Sequence, residues 1–235
     1  MMEKIYNERV IYKKRMIQAK KDYEKTPTKQ LEKDISKFNN IQMARKIQLN
    51  SAYGAVGNQY FRYYNLLNAE AITLSGQVSI RWIENKMNQK MNKILKTEDV
   101  DYVIASDTDS IYLNLGPLVE GVYKGRKETD EVIVGFIDKV CSMELEPYIE
   151  SSYEALAKYV NAYDQKMFMK RETIANKGIW TAKKRYILNA WDIEGVRFAE
   201  PKLKVMGIEA VKSSTPGACR DKIKECLKVI MNSDE

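Results

Sequence analysis

The segment VIASDTDSIYL, residues 103–113, places Asp107 and Asp109 one residue apart between two runs of β-branched and aromatic residues. Such runs favour strands and the polar residues between them favour a turn, so the segment predicts a β-hairpin. Because side chains two residues apart share a strand face, both carboxylates can converge at the bend. Their charges repel unless a cation lies between them. The pair suits Mg²⁺, which takes its other ligands from water and phosphate.

Two other interpretations of the aspartates have to be weighed. A calcium-binding EF-hand loop that began at Asp107 would need glycine at its sixth position and glutamate at its twelfth. Those positions hold Tyr112 and Leu118, which excludes the EF-hand. Asp, Thr and Ser are also common turn formers, so an ordinary turn remains an alternative for this segment taken by itself.

The composition limits the possible classes of protein. A chain of 235 residues with 44% hydrophobic residues can bury a core. The absence of histidine excludes Ser-His-Asp and Cys-His nucleophiles and histidine-ligated metals, and three cysteines are too few for a disulfide framework or a zinc site. No apolar run approaches the roughly 18 residues of a membrane span. We therefore expect a cytoplasmic protein without a membrane partner.

The net charge of +7 is distributed unevenly along the sequence. Residues 1–46 contain 13 Lys and Arg against 6 Asp and Glu. A basic segment of this kind indicates a polyanionic partner such as nucleic acid or nucleotide phosphates. A solvated, lysine-rich helix explains the same charge equally well.

Hydrophobic periodicity predicts helices and strands in separate blocks, which is typical of an α+β fold. The first two helices form a hairpin, and the second is predicted to be interrupted near Asn39–Asn40. Apolar or small residues from 69 to 94 recur at the spacing of a buried helix face. The predicted elements are helices at 3–24, 29–57 and 66–95, a strand-turn-strand at 101–115, helices around 130–143 and 147–160, strands within 166–208 broken at 176–178 and 194–195, and a last helix from 215 to the end.

A polar stripe follows one face of the second predicted helix. In the stretch RKIQLNSAYGAVGN, Lys46, Asn50 and Tyr53 occupy positions i, i+4 and i+7. A buried helix face does not carry lysine and asparagine, whereas lysine can neutralise a triphosphate and tyrosine can pack under a sugar or base. Arg9 and Lys13 form a second basic stripe on the first helix. If the two helices pack antiparallel, both stripes can face one polyphosphate.

Four motifs resemble those of family B DNA polymerases and occur in the same order. KIQLNSAYGAVGN resembles the K-x-x-x-N-S-x-Y-G motif, SDTDSIY the D-T-D-S motif of the palm hairpin, TAKKRY the K-K-R-Y primer-binding motif, and GIEAVKSSTP the junction with the thumb. The flanking sequence is similar to that of T4-like bacteriophage polymerases over essentially the whole chain. The resemblance implies a helical-hairpin fingers segment at 1–58, a palm with an antiparallel sheet at 59–214 and the start of a thumb at 215–235.

The resemblance also implies roles for individual residues in template-directed nucleotidyl transfer. Asp109 would ligate two catalytic Mg²⁺ ions with Asp107 in support, and Glu172, on a palm strand, matches a third carboxylate. A surface glutamate paired with Lys170 or Arg171 is the alternative for Glu172. The implied nucleotide-binding residues are Arg9, Lys13, Lys46, Asn50 and Tyr53. The implied primer-binding residues, alternating along one strand, are Lys183, Lys184, Arg185 and Tyr186, for which an ordinary basic edge strand is the alternative.

One family motif is absent from the 235 residues: the D-x-x-S-L-Y-P stretch that carries the other essential aspartate. We therefore expect the chain to be inactive without a complementing polymerase fragment that supplies this aspartate and the exonuclease, as in a split polymerase. An incomplete sequence and a non-catalytic DNA-binding remnant are the alternatives. The other implied partners are primer–template DNA, deoxynucleoside triphosphates and a possible sliding clamp, in the host cell cytoplasm if the chain is phage-encoded. Asp192-x-Glu194 imitates an exonuclease metal motif and is interpreted as a decoy in a turn.

Overall fold

The computed structural model describes residues 1–124, 126 and 128–233 and has the predicted α+β fold. Strands β1 and β2 form one sheet, and β3, β4 and β5 form a second in that order. None of the helices in the described part of the chain is long and apolar enough to cross a membrane. The elements are α1 Met2–Lys25, α2 Lys29–Val56, α3 Leu66–Leu95, β1 Val103–Asp107, β2 Ser110–Leu113, α4 Gly116–Tyr123, α5 Asp130–Val140, a π-helical segment Cys141–Leu145, α6 Glu146–Tyr159, β3 Thr173–Ala182, β4 Arg185–Ile193, β5 Val196–Met206, a 3₁₀ turn Glu209–Val211, and α7 Gly217–Asn232.

The chain divides into two compact units. The first unit contains Met1–Val78 and Glu194–Arg197. The second unit contains Ser79–Ile193 and the described residues from Phe198 onward. Helix α3 contributes its first half to one unit and its second half to the other.

Helices α1 and α2 form the antiparallel hairpin of the first unit. Thr28 caps α2 by accepting a hydrogen bond from the Leu31 N–H at 3.2 Å. The antiparallel direction follows from two cross-helix pairs, the Tyr23 hydroxyl to Glu32 at 2.8 Å and Arg45 to Glu8 at 2.8 Å. The predicted interruption of α2 at Asn39–Asn40 is wrong, because α2 runs unbroken to Val56. The modest helix propensity of asparagine is outweighed here by packing against α1.

The second unit has its main core under the C-terminal half of α3. Ile83, Met87 and Met91 follow one another at intervals of four residues and are fully buried. They pack with buried residues from the hairpin and from the helices that follow it, namely Tyr102, Cys141, Leu145, Ile149, Tyr153 and Leu156. The predicted buried face is thus confirmed at Ile83, Met87 and Met91, whereas Ile72 and Ile94, which were predicted on the same face, are exposed.

Two asparagines on α3 hold the segment that leads into the β1–β2 hairpin. The Asn88 side-chain oxygen accepts hydrogen bonds from the backbone N–H groups of Tyr102 at 2.9 Å and Val103 at 3.2 Å. The Asn92 side chain donates to the Val100 carbonyl at 2.8 Å and accepts from the Val100 N–H at 3.1 Å. These bonds fix the start of β1 against the buried helix, so the position of the hairpin follows from that of α3.

The structure corrects several predicted element boundaries. No strand covers residues 166–172, helix α4 was not predicted, and α5 continues through the π-helical segment into α6 instead of ending. The predicted break at 176–178 is wrong. Strand β3 passes through it because Asn176 bonds Asn189 across the sheet at 3.0 Å and Gly178 leaves space for Trp180 and Leu188. The break at 194–195 is confirmed, and the last helix ends at Asn232, while residues 234 and 235 lie outside the described residues.

We predict that Asn88→Ala lowers the free energy of unfolding by about 1–3 kcal/mol, because two backbone N–H groups lose their acceptor. Urea denaturation measures the change. Asn85→Ala is the matched control, since Asn85 is exposed on the same helix. Equal effects of the two substitutions would contradict the proposed role of Asn88.

We also predict a pH-dependent contribution of Cys141 to stability. Burial raises the pKa of the Cys141 thiol to about 11, against an ordinary value of 9.0. The unfolded chain therefore loses this proton first, and the contribution of the neutral thiol falls as pH rises from 9 toward 11. Urea denaturation of the wild type and Cys141→Ala between pH 8 and pH 11 tests this. The stability advantage of the wild type should shrink with rising pH, and a constant difference would disprove the prediction.

Candidate functional site

The bend of the β1–β2 hairpin holds the two predicted aspartates. Asp107 ends β1 opposite Ser110, and Thr108 and Asp109 form the turn between them. The Asp109 N–H donates to the Asp107 carbonyl at 2.6 Å. Thr108 has a φ of +54°, a conformation that is unfavourable for a β-branched residue. Backbone strain of this kind is typical of functional sites. The Thr108 hydroxyl donates a hydrogen bond to the Asp107 carboxylate at 3.0 Å.

A cation lies close to the acidic bend. The Lys184 ammonium is 3.9 Å from the Asp107 carboxylate, whose side chain is half-buried. Asp109 is exposed. The negative charge of Asp107 is therefore partly balanced by Lys184, and the Asp109 side chain is accessible from solvent.

The donor set at the bend fits a hard divalent cation in part. Mg²⁺ accepts one or two carboxylates when water and phosphate oxygens supply its remaining ligands. Asp107 and Asp109 offer two carboxylates of that kind. Within the described ranges, no three His, Cys, Asp or Glu side chains form a cluster that could hold a metal ion. Further ligands would thus have to come from phosphate groups, water or other protein segments.

Glu172 lies immediately before β3 and not on a strand, which corrects the predicted placement. Its carboxylate pairs with the Lys204 ammonium at 2.8 Å. The alternative partners Lys170 and Arg171 are therefore wrong. Local spacing could not indicate Lys204 as the partner, because this lysine lies 32 residues further along the chain.

Arg171 belongs to an ion-pair network, with one buried and one half-exposed carboxylate, that sequence reasoning missed. Its guanidinium bonds Asp138 on α5 at 2.5 Å and also Asp192 on β4. Its backbone N–H donates to Glu146 at 2.9 Å. Burial lowers the pKa of Arg171, but the bonds to both aspartates outweigh burial, so the pKa is raised. Asp192 is only 2% exposed, and a charged residue inside the apolar strand RYILNAWDI is the signal that could have indicated a buried partner.

The K-K-R-Y motif spans a turn and not a single strand. Lys183 and Lys184 connect β3 to β4, and Lys184 adopts a left-handed conformation with a φ of +62°. Arg185 and Tyr186 begin β4, so alternating faces apply only to these two residues. Arg185 bonds both oxygens of Glu209, at 2.9 and 2.7 Å.

Tyr186 is buried beside the acidic bend. Its ring lies 5.3 Å from that of Tyr112 and 6.3 Å from that of Trp180. Burial raises the pKa of Tyr186, and a hydrogen bond with Tyr112 and the negative charges of Glu172 and Asp107 raise it further. The phenol is therefore neutral and lies within electrostatic range of both acidic residues.

Gly207 packs against the turn formed by Lys183 and Lys184 and fixes its position. A Cβ at this residue would lie 2.1 Å from the Lys184 carbonyl oxygen, and its φ of +66° disfavours any side chain. The backbone of the turn thus packs directly against Gly207. Glycine is required here for both space and conformation.

The predicted polar stripe of the first unit is exposed along an unbroken α2. Lys46, Asn50 and Tyr53 are all solvent-accessible. The Tyr53 and Thr73 hydroxyls lie 2.8 Å apart, and Thr73 also donates to the Ala69 carbonyl at 3.0 Å. Tyr53 is therefore oriented by α3, while the stripe remains available to a ligand.

The second basic stripe lies on α1. Because the hairpin is antiparallel and Glu8 pairs with Arg45, Arg9 and Lys46 lie toward the same end of it. The Arg9 Nε is buried and has no hydrogen-bond partner among the residues that the structure describes. Lys13 forms an ion pair with Glu194 at 2.6 Å, so part of its charge is already balanced.

Comparison with known proteins identifies relatives along the whole chain. The family model for DNA polymerase family B matches residues 1–235. The chain is 44% identical over 202 residues to a DNA-directed DNA polymerase of Escherichia phage RB69, covering 83% of this chain and 22% of that protein. It is 42% identical over 212 residues to a DNA-directed DNA polymerase of Enterobacteria phage T4, covering 87% and 24%. DNA polymerase 1 of Aeropyrum pernix is 23% identical over 190 residues, covering 81% and 15%. The chain thus spans less than a quarter of the length of these relatives.

We predict that Gly207→Ala lowers the free energy of unfolding by more than about 1 kcal/mol, because the added Cβ clashes with the Lys184 carbonyl. Urea denaturation measures the loss. Gly76→Ala is the control, since Gly76 is helical with nothing within 4 Å of an added Cβ, and should be neutral or stabilising by about 0.5–1 kcal/mol. A Gly207→Ala protein as stable as the wild type would show that the turn does not depend on this contact.

Proposed function

Because the chain belongs to DNA polymerase family B, we propose that its residues form the fingers and palm of a DNA-directed DNA polymerase. The fingers correspond to residues 1–58, the palm to 59–214 and the start of the thumb to 215–235. The observation that supports this most directly is the acidic bend, where Asp107 lies 3.9 Å from the Lys184 ammonium and Asp109 is exposed in the adjoining turn. The phage relatives, at 42–44% identity, are named DNA-directed DNA polymerases.

The proposed reaction extends a DNA primer by one nucleotide. The 3′ hydroxyl of the primer gives its proton to water, its oxygen forms a bond to the α-phosphorus of a deoxynucleoside triphosphate, and the bond from that phosphorus to pyrophosphate breaks. Asp109, supported by Asp107, would hold Mg²⁺, whereas Glu172, which is paired with Lys204, does not cluster with these two aspartates among the described residues. When bound, Mg²⁺ lowers the pKa of the primer hydroxyl and stabilises negative charge on the phosphoryl oxygens.

The exposed stripes of the first unit are proposed to bind the incoming nucleotide. Lys46 and Arg9 neutralise the triphosphate, and Lys13, already paired with Glu194, assists. Asn50, on the same face of α2 as Lys46, supports the triphosphate site. Tyr53, oriented by its contact with Thr73, packs against the nascent base pair and excludes a ribose 2′-hydroxyl.

The K-K-R-Y residues are proposed to hold the primer, with a division of roles that the geometry supports. The Lys183–Lys184 turn offers two ammonium groups to primer phosphates. Arg185 is bound to Glu209 and Tyr186 is buried, so these two residues position the turn.

We further propose that the metal site is completed from outside these 235 residues, because they contain no D-x-x-S-L-Y-P stretch. The missing aspartate would come from a complementing polymerase fragment that also carries an exonuclease. The assembled enzyme would bind primer–template DNA in the host cell cytoplasm, with a sliding clamp as a possible further partner.

Primer extension in Mg²⁺ tests this proposal. We expect no extension by the 235-residue chain alone and extension after it is mixed with a polypeptide that contains the D-x-x-S-L-Y-P segment. In the mixture, Asp109→Asn should reduce the rate at least about 100-fold, since charge stabilisation at the reacting phosphate is lost, and Asp107→Asn should reduce it less. Asp164→Asn, which changes an exposed aspartate of the same unit, is the control and should leave the rate unchanged.

The second candidate function is that of a non-catalytic DNA-binding remnant. It is favoured by the observation that the described residues hold no cluster of three potential metal ligands. DNA binding without extension in either arm of the assay would support the remnant and contradict the polymerase.

A further inference from the structure

The N-terminal half of α3 is exposed around nearly its whole circumference. Within residues 66–78, which belong to the first unit, Ala69 is buried, Gly76 is half-buried and every other residue is exposed. A helix in water normally confines its apolar side chains to the face that packs on the protein. This segment, LLNAEAITLSGQV, instead exposes apolar side chains to solvent.

The most exposed of these side chains lie along one face of the helix. Leu67, Leu74 and Val78 occupy positions i, i+7 and i+11 and are 76%, 58% and 51% exposed. Ala71, at i+4, lies between them and is also exposed. These four residues, the α3 stripe, span about 16 Å at the rise of an α-helix. Single exposed apolar residues are common, whereas a row at helical spacing indicates a contact surface.

The α3 stripe lies on the face of the helix opposite to its contact with α2. Ala69, which is buried, and Thr73, whose hydroxyl is 2.8 Å from that of Tyr53, are four residues apart on that opposite face. The contact with α2 therefore uses one side of α3 only. The stripe is thus a separate surface and not a poorly packed part of the helical hairpin.

The charge of this segment indicates what kind of partner the stripe meets. The first unit contains 15 Lys and Arg against 8 Asp and Glu. Residues 66–78, in contrast, contain one charged residue, Glu70, and no Lys or Arg. A surface that binds nucleic acid needs cations to neutralise phosphate groups, so the stripe does not suit a polyanion. Its composition suits the apolar side chains of a polypeptide.

The size of the stripe distinguishes between two kinds of polypeptide. A stable interface buries roughly 800 Å² on each partner, and four side chains, one of them alanine, provide much less. A second copy of this chain that met the stripe alone would therefore bind too weakly to remain associated. A larger polypeptide that makes further contacts elsewhere does not have this limit. The two phage polymerases contain such additional polypeptide, because this chain covers 22% and 24% of their length.

We propose that the α3 stripe is a docking site for the complementing polymerase fragment, which covers Leu67, Leu74 and Val78 with apolar side chains of its own. The identity of this partner rests on the proposed function, whereas the exposure and spacing of the stripe do not. Docking removes the leucine and valine side chains from water, and this burial stabilises the complex of the two polypeptides.

The test measures association of the 235-residue chain with the polypeptide that contains the D-x-x-S-L-Y-P segment, by sedimentation velocity without DNA or nucleotide. Leu67→Lys and Leu74→Lys should each raise the dissociation constant about 10-fold or more, because apolar burial is lost and a charge is desolvated. Leu74→Met keeps an apolar side chain of similar volume and should bind like the wild type. Ile72→Lys is the matched control, since Ile72 is 55% exposed on the same helix but lies outside the stripe.

Two measurements on the chain alone accompany this test. Urea denaturation should give the same free energy of unfolding for all lysine variants and the wild type within about 0.5 kcal/mol, since the substituted side chains are exposed and lysine is a good helix former. Sedimentation of the wild type without the second polypeptide should show a monomer. Self-association that the leucine substitutions abolish would assign the stripe to a second copy and overturn the proposal.

The proposal is also overturned if the wild type does not associate with the second polypeptide, if both leucine substitutions leave association unchanged, or if Ile72→Lys weakens it equally. The assay needs no catalysis. Association that depends on the stripe, combined with failed primer extension, would contradict the polymerase function alone. Primer extension in a mixture whose association is unaffected by the leucine substitutions would contradict the docking site alone.

Discussion

Asp107 and Asp109 place two negative charges at one hairpin bend, and the second unit is built so that these charges can coexist. The start of the hairpin is tied to α3 by Asn88, and Thr108 turns its hydroxyl onto the Asp107 carboxylate. Lys184 reaches the same carboxylate from the neighbouring sheet. None of these contacts involves Asp109, which is exposed, so the repulsion is relieved at one aspartate and the other stays accessible to a ligand.

Burial separates the structural acids from the accessible ones. Asp192 is almost completely inaccessible, and a carboxylate in that position is tolerated because Arg171 bonds it directly. The same arginine also bonds Asp138, so one guanidinium ties α5 to β4. Removing one member of such a network leaves an uncompensated buried charge. The network therefore fixes the segment just before Glu172, whose own carboxylate lies at the surface with Lys204.

Local patterns predicted the parts of the fold that depend on local forces. The limits of α3 and the β1–β2 hairpin follow from hydrophobic spacing and turn residues, and the structure confirms both. The turn at Lys183–Lys184 was missed because two lysines carry no turn signature. That turn is stabilised by contact with Gly207, more than twenty residues away in the sequence. The predicted gap between the helices at 130–143 and 147–160 did not occur, since Pro147 is tolerated in the first turn of α6. The partners of Glu172 and Arg171 are likewise set by tertiary packing, which spacing alone does not reveal.

The two units differ in how their charge can act on a polyanion. The first unit carries the entire excess of positive charge, so its field attracts phosphate groups over a distance and depends strongly on salt. The second unit has no net charge, and its electrostatics are local, with acids at the hairpin bend and lysines on the adjacent turn. The long-range electrostatic attraction of the first unit depends mainly on its excess of Lys and Arg. The basic segment could therefore be recognised from the sequence. A local arrangement of acids and lysines needs the contacts of Gly207, Asn88 and Arg171, and only the folded chain supplies them.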